Sequence, residues 1–161
     1  YADESAWARG QAWSIYGYTV MYRFTGDKKY LEQAEKVADF LFNNPNMPED
    51  LVPYWDFDCP DIPDTPRDAS SAAIIASALY ELYWYTKNDL YKEKADKMIE
   101  SLSTPAYRAA QGTNGGFILM HSVGSIPHGS NIDVPLNYAD YYLLEALIRK
   151  GHIEKGEAPV K

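Results

Sequence analysis

An internal echo at a spacing of 61 residues constrains this chain more than any other feature. Tyr22, Phe24, Thr25, Asp27, Tyr30, Ala34, Lys36, Val37 and Leu41 recur as Tyr83, Tyr85, Thr86, Asn88, Tyr91, Ala95, Lys97, Met98 and Leu102. Self-similarity on this scale marks an array of supersecondary units. Each unit reads as a long helix, a tight turn and a second helix. Gly26 suits the C-cap of the first turn, where the backbone turns left-handed, and Asp27 the following N-cap. Asn88 takes the capping role in the second turn.

The two helices of a unit differ in kind. The first, over residues 5–24 and again 68–85, is apolar almost all round, which predicts burial on most sides. The second keeps one narrow stripe, Tyr30, Ala34, Val37, Ala38 and Leu41, with Glu and Lys elsewhere, which predicts an outer position. Alternation of buried inner and amphipathic outer helices is what a toroid of helical hairpins requires. A third inner helix is predicted over residues 135–150 with no outer partner after it, and residues 151–161 read as a polar, frayed tail. The fold expectation is all-α: a partial toroid of helical hairpins with two long loops. Residues 44–67 are Pro-rich and acidic; residues 103–134 hold Gly115-Gly116 ahead of a short apolar run fit for a hairpin. Loops of this length in a compact domain are usually functional.

Composition narrows the chemistry. The chain has 161 residues, the size of one domain. Fourteen Tyr and four Trp exceed what its core needs and favour surfaces that are part apolar and part wet, such as carbohydrate clefts or Tyr-rich helix seams. The net charge of −8 and the lack of a cationic cluster beyond Lys28-Lys29 argue against nucleic acid. Cys59 is alone, which excludes an internal disulfide, and three scattered His give no zinc spacing. The run DFDCPDIPD lacks the spacing and glycine of a calcium loop. Neither a metal nor another cofactor is expected. The most apolar stretch, residues 69–85, is broken by Ser70, Ser71, Ser77 and Glu81, so no membrane span is expected. There is no signal peptide and no initiator Met. The expectation is a soluble protein, cytoplasmic or periplasmic.

Arg9 and Trp13, in the run SAWARGQAW, fall one helical turn apart on one face. A guanidinium fork beside an indole plate suits a sugar ring carrying a carboxylate. The alternative is a core Trp with a salt-bridged Arg nearby. Trp55, Asp68 and Ser130 are further cleft-lining candidates, with His121 and His128 in the same loop as Ser130. Asp68 also fits an ordinary helix cap. Asp56 and Asp58 alternate along an extended loop, so they point apart and read as turn and cap acceptors rather than an acid–base pair. Asp140 reads as structural with a bonded partner, and Tyr138, Tyr141 and Tyr142 as seam packing. Gly10 and Gly17 read as sites of close helix contact.

The stretches WARGQAW, YWDFDCP followed by RDASSAA, and IDVPLNYADYYLLEAL resemble glycoside hydrolase family 88, the unsaturated glucuronyl hydrolases. Residues 7–149 resemble the C-terminal portion of that family's catalytic domain, which implies an (α/α)6 toroid to which residues 1–150 contribute. The resemblance implies removal of a 4,5-unsaturated uronic acid from the non-reducing end of an oligosaccharide. Such enzymes hydrate the C4=C5 vinyl ether: an aspartic acid protonates C4 and serves as base towards the water that adds at C5. The hemiketal then rearranges and the downstream sugar departs. Arg9 and Trp13 match the family's carboxylate-binding Arg and ring-stacking Trp. Its catalytic Asp residues, and a substrate-positioning His and Gln, lie upstream of WARGQAW, so no residue here is assigned a catalytic role and this chain alone is expected to be inactive. Three inner helices cannot close a six-hairpin ring. Two apolar flanks are expected to lie bare, to be covered by the missing N-terminal half or another copy. Unsaturated rhamnogalacturonyl hydrolases, which usually read Arg-Gly-Asn-Gly-Trp at residues 9–13, are the nearest alternative; a non-catalytic carbohydrate-binding helical repeat is another.

Overall fold

A computed structural model describes residues 2–160. Five α-helices follow one another: α1 (Ala8–Thr25), α2 (Lys28–Phe42), α3 (Ala69–Thr86), α4 (Asp89–Leu102) and α5 (Asn137–Glu154), with one 3₁₀ turn at Asn114–Gly116. Helix α3 is the centre, packed between α1 and α5 with α4 outside it, while α2 lies on α1. Every residue from Ala69 to Leu82 is buried. The run of Ala and Ser in α3 allows this, because small side chains let neighbouring helix axes approach on all sides.

The repeat is reproduced bond for bond. Gly26 and Lys87 both close an inner helix in the left-handed region, their N–H groups donating to Tyr22 and Tyr83 carbonyls. Asp27 and Asn88 then cap the outer helices by accepting from the N–H of Lys29 and Leu90. Thr25 and Thr86 hydroxyls accept from the N–H groups of Asp27 and Asn88 at 3.2 and 3.3 Å. The outer helices bury Ala34 with Leu41, and Ala95 with Leu102. Three inner helices with two outer ones form part of an α/α toroid.

Three boundaries differ from the sequence expectation. Helix α1 starts at Ala8 rather than residue 5, because the N–H of Ala6 donates to Asp58 at 2.8 Å and the Ala6 carbonyl accepts from Phe57 at 3.0 Å. Helix α3 starts at Ala69 because the Asp68 carboxylate caps it. Helix α5 runs to Glu154, past the predicted end at residue 150, and the tail expected to fray opens with this last turn. Ile153 packs on the core, and Gly156 and Glu157 N–H groups close the end on the carbonyls of Ile153 and His152.

The two long loops fold onto the heads of the inner helices. Segment 54–57 pairs on one side with residues 6–8 and on the other with residues 66–67. In the second loop the apolar run after Gly115-Gly116 returns along residues 107–109, and residues 122–125 pair antiparallel with 130–134. Asp140 binds this loop to α5 by accepting from the N–H groups of Ile118 and Leu119 at 2.8 and 2.9 Å. Two helix faces stay bare: Met21 and Phe24 on α1, and Tyr141, Leu144 and Ile148 on α5. No helix among the described residues is long and apolar enough to cross a membrane.

Candidate functional site

The N-terminal ends of α1, α3 and α5 converge on Arg9. This residue is only 6% exposed. One Nη lies 3.3 Å from Asp68 Oδ2, and the two Nη groups donate to the carbonyls of Val123 and Gly124. The Trp7 ring covers the guanidinium at 4.7 Å and Tyr138 approaches it at 5.7 Å. Burial pushes the Tyr138 phenol up, with Arg9 opposing. Asp68 is fully buried and works as a hub: it accepts from Ser70 N–H at 3.1 Å, the Ser70 and Ser71 hydroxyls at 2.6 Å and Val123 N–H at 3.3 Å. Gly124 is obligatory at its place, since a Cβ would stand 2.6 Å from the Cβ of Asn131 across the loop.

Trp13, one turn further along α1, keeps 37% of its surface exposed. It does not pack as a core Trp, and the indole stacked on Arg9 is Trp7. Trp13 meets Tyr142 at 5.1 Å and Tyr16 at 6.1 Å, both edge to face, and Tyr16 and Tyr142 meet each other at 5.2 Å. Beneath this triangle lies a buried ionic network that the sequence reading did not identify. Arg149, 2% exposed, has one Nη 3.1 Å from Glu81 and 2.9 Å from the Ser77 carbonyl, and the other 3.4 Å from Glu145. Arg23 Nε stands 2.9 Å from Glu81, and the Tyr16 hydroxyl donates to Glu145 at 3.1 Å. Burial pushes the Tyr16 phenol up to about 12, with Arg149 opposing and Glu145 adding.

The other candidates are distributed as follows. Trp55 is buried, donates from Nε1 to Thr65 at 3.0 Å, and walls a cavity of about 350 Å³ with Trp7, Gly124, Ser125, Pro127 and His128. Asp68 is held against Arg9 and does not line that cavity. Ser130 is exposed on the hairpin, pairs through its backbone with Ser125 and does not line that cavity; Ser125 does, bonded through Oγ to His128 Nδ1 at 2.7 Å. Asp56 accepts from Ser5 at 2.7 Å and from Asp58 N–H at 2.9 Å, so these carboxylates latch the segment ahead of α1. His121 pairs with Asp133 at 2.6 Å on the outside of the loop. Among the described residues no cluster of His, Cys, Asp and Glu could hold a metal ion. Trp7 was legible only as part of its motif; its position over Arg9 follows from the extended backbone of the N-cap. Nothing local in the sequence signals Tyr138 or the two loop carbonyls.

Comparison with known proteins agrees with this architecture. The model of Glycosyl hydrolase family 76 matches residues 19–114, from the C-terminal end of α1 through α2, α3 and α4. Relatives aligned along nearly the whole chain carry another name. An "Unsaturated glucuronyl hydrolase" of Formosa agariphila is 53% identical over 149 residues, 92% of this chain and 37% of the relative. The crystal structure of an unsaturated glucuronyl hydrolase specific for heparin superposes with a TM-score of 0.92 at 52% identity, over 96% of this chain and 42% of that one. A D175N mutant of the Streptococcus agalactiae unsaturated glucuronyl hydrolase, complexed with dGlcA-GalNAc6S, superposes with a TM-score of 0.84 at 36% identity, over 93% and 40%. The chain thus spans about two fifths of the length of these relatives. In scaffold and in likeness along nearly all of its own length, the chain belongs to the family of unsaturated glucuronyl hydrolases.

Proposed function

We propose that this chain is the substrate-binding part of a hydrolase that removes 4,5-unsaturated uronic acid from the non-reducing end of oligosaccharides by hydrating the C4=C5 vinyl ether. The observation that carries the reading is the Arg9 fork, set where three inner-helix heads meet and flanked by the part-exposed indoles of Trp7 and Trp13. Asp68 holds the guanidinium plane from behind. A sugar carboxylate displaces the two neutral loop carbonyls in front, because charged acceptors bind a guanidinium about twice as strongly as neutral ones. Trp13 covers the apolar face of the ring and Trp55 walls the space for the adjoining sugar. A relative crystallised with a dGlcA saccharide supports an acidic sugar as the ligand.

The proton donor is not among the carboxylates near this site. Asp68 is saturated by its donors, and Asp56 and Asp58 are committed to the segment ahead of α1. Residues 1–150 form the C-terminal part of an (α/α)6 domain, and the bare stripes of α1 and α5 are covered by further hairpins or by another copy. Calorimetric titration with a 4,5-unsaturated and a saturated uronide tests the reading: preference for the unsaturated sugar is expected, and equal or absent binding overturns it. Loss of absorbance from an unsaturated disaccharide on adding this polypeptide alone would refute the division of labour. A compact monomer with low dye binding on size exclusion would refute the covered flanks.

A further inference from the structure

We infer that Tyr16 is a positioning residue for the sugar-stacking plate, coupling the orientation of Trp13 to the buried Glu145–Arg149–Glu81 network. The inference rests on the reading of Trp13 as that plate. An indole with more than a third of its surface in solvent has several rotamers open to it, and stacking on a sugar requires one. Its two edge contacts are Tyr142, which itself leans on Tyr16 and on Tyr141 at 4.9 Å, and Tyr16. Tyr16 is the member of the triangle tied to the interior. Its hydroxyl donates to Glu145 at 3.1 Å, and the Arg149 guanidinium lies 5.3 Å from its ring centre.

Glu145 is in turn fixed by the Ser77 hydroxyl and by Arg149, whose other end is locked on Glu81 and the Ser77 carbonyl. Helices α1, α3 and α5 all contribute, so the anchor is a rigid junction of three inner helices rather than a loop. A hydrogen bond to a carboxylate at this junction holds the Tyr16 ring in register, and the ring edge sets the indole plane.

The test is a double-mutant cycle read by calorimetric titration of the chain with an unsaturated chondroitin disaccharide, with circular dichroism and a thermal melt on every variant. Tyr16→Phe keeps the ring and removes the hydroxyl. It is expected to weaken binding about five- to tenfold, the scale of one ordinary hydrogen bond lost. Trp13→Ala is expected to weaken binding at least as much, and adding Tyr16→Phe to Trp13→Ala is expected to cost no further affinity. Glu145→Gln, which still offers an acceptor to Tyr16, is expected to bind more tightly than Glu145→Leu. Weakening by Trp13→Ala with none by Tyr16→Phe overturns the positioning role and leaves the plate. Additive losses overturn it also, since a merely structural Tyr16 acts independently of Trp13. No loss from Trp13→Ala overturns both readings.

Discussion

Two buried arginines sit among the inner helices, Arg9 at the head of α1 and Arg149 near the far end of α5, and their partners differ in kind. Arg149 is held by two carboxylates and a helix carbonyl, all on α3 and α5. Arg9 has one carboxylate behind it and two neutral carbonyls from a loop in front. A guanidinium matched by carboxylates on packed helices has no exchangeable partner, so it is a structural element. A guanidinium half satisfied by loop carbonyls can trade them for a better acceptor. The depth of burial is nearly the same; the charge and rigidity of the acceptors separate a strut from a site.

The largest expected effect tests the strut. Arg149→Met leaves Glu81 buried with Arg23 as its remaining cation and Glu145 without its pair, which costs roughly 3–5 kcal/mol. Urea denaturation measures it, and a loss under 1 kcal/mol breaks the distinction drawn here. Arg9→Ala comes next and is expected to act on the ligand: a loss of about 1.5–3 kcal/mol in affinity for an unsaturated uronide, the scale of a charged hydrogen bond. Unchanged affinity in that titration removes the clamp.

A smaller effect concerns acid. Burial alone would raise the Asp96 carboxyl, but hydrogen bonds from Lys150, Lys92 and Tyr80 outweigh it and hold it below the ordinary carboxylate value. A carboxyl lowered on folding stabilises the protein above its unfolded value, roughly pH 3.9, and that contribution disappears as the pH falls through the lower folded value. Melting temperature is therefore expected to fall between about pH 5 and 2, and Asp96→Asn to flatten part of that fall; an identical profile would exclude Asp96 from it. The smallest effect sharpens the view of the loop. Ser130 is exposed and pairs through its backbone, so Ser130→Ala is expected to shift uronide affinity and stability by less than about 0.5 kcal/mol each. A larger change in either would give the hairpin a side-chain role.

Capping chemistry and helical period act over a few residues, which is why the hairpins were legible in the chain. Gly26, Asp27 and Asn88 name their own positions, and the apolar run around residues 69–82 announces a helix with no solvent face. The same rules misplaced the start of α1, where a partner some fifty residues away ties down Ser5 and Ala6, and ended α5 early, where the packing of Ile153 on the core sustains a last turn that local polarity argues against.

The family motifs, the repeat and the alternation of inner and outer helices are properties of the sequence alone, because each is fixed by neighbours within a turn or two. The setting of Arg9 is not. Its partners lie 59, 114 and 115 residues away, and nothing short of closing both loops onto the helix heads brings them together. Tertiary structure likewise decided the setting of Trp13, whose edge contacts are Tyr16 on its own helix and Tyr142 on α5. Helical spacing puts Trp13 one turn beyond Arg9, and only the fold around α3, which brings the head of α5 alongside, supplies Tyr142.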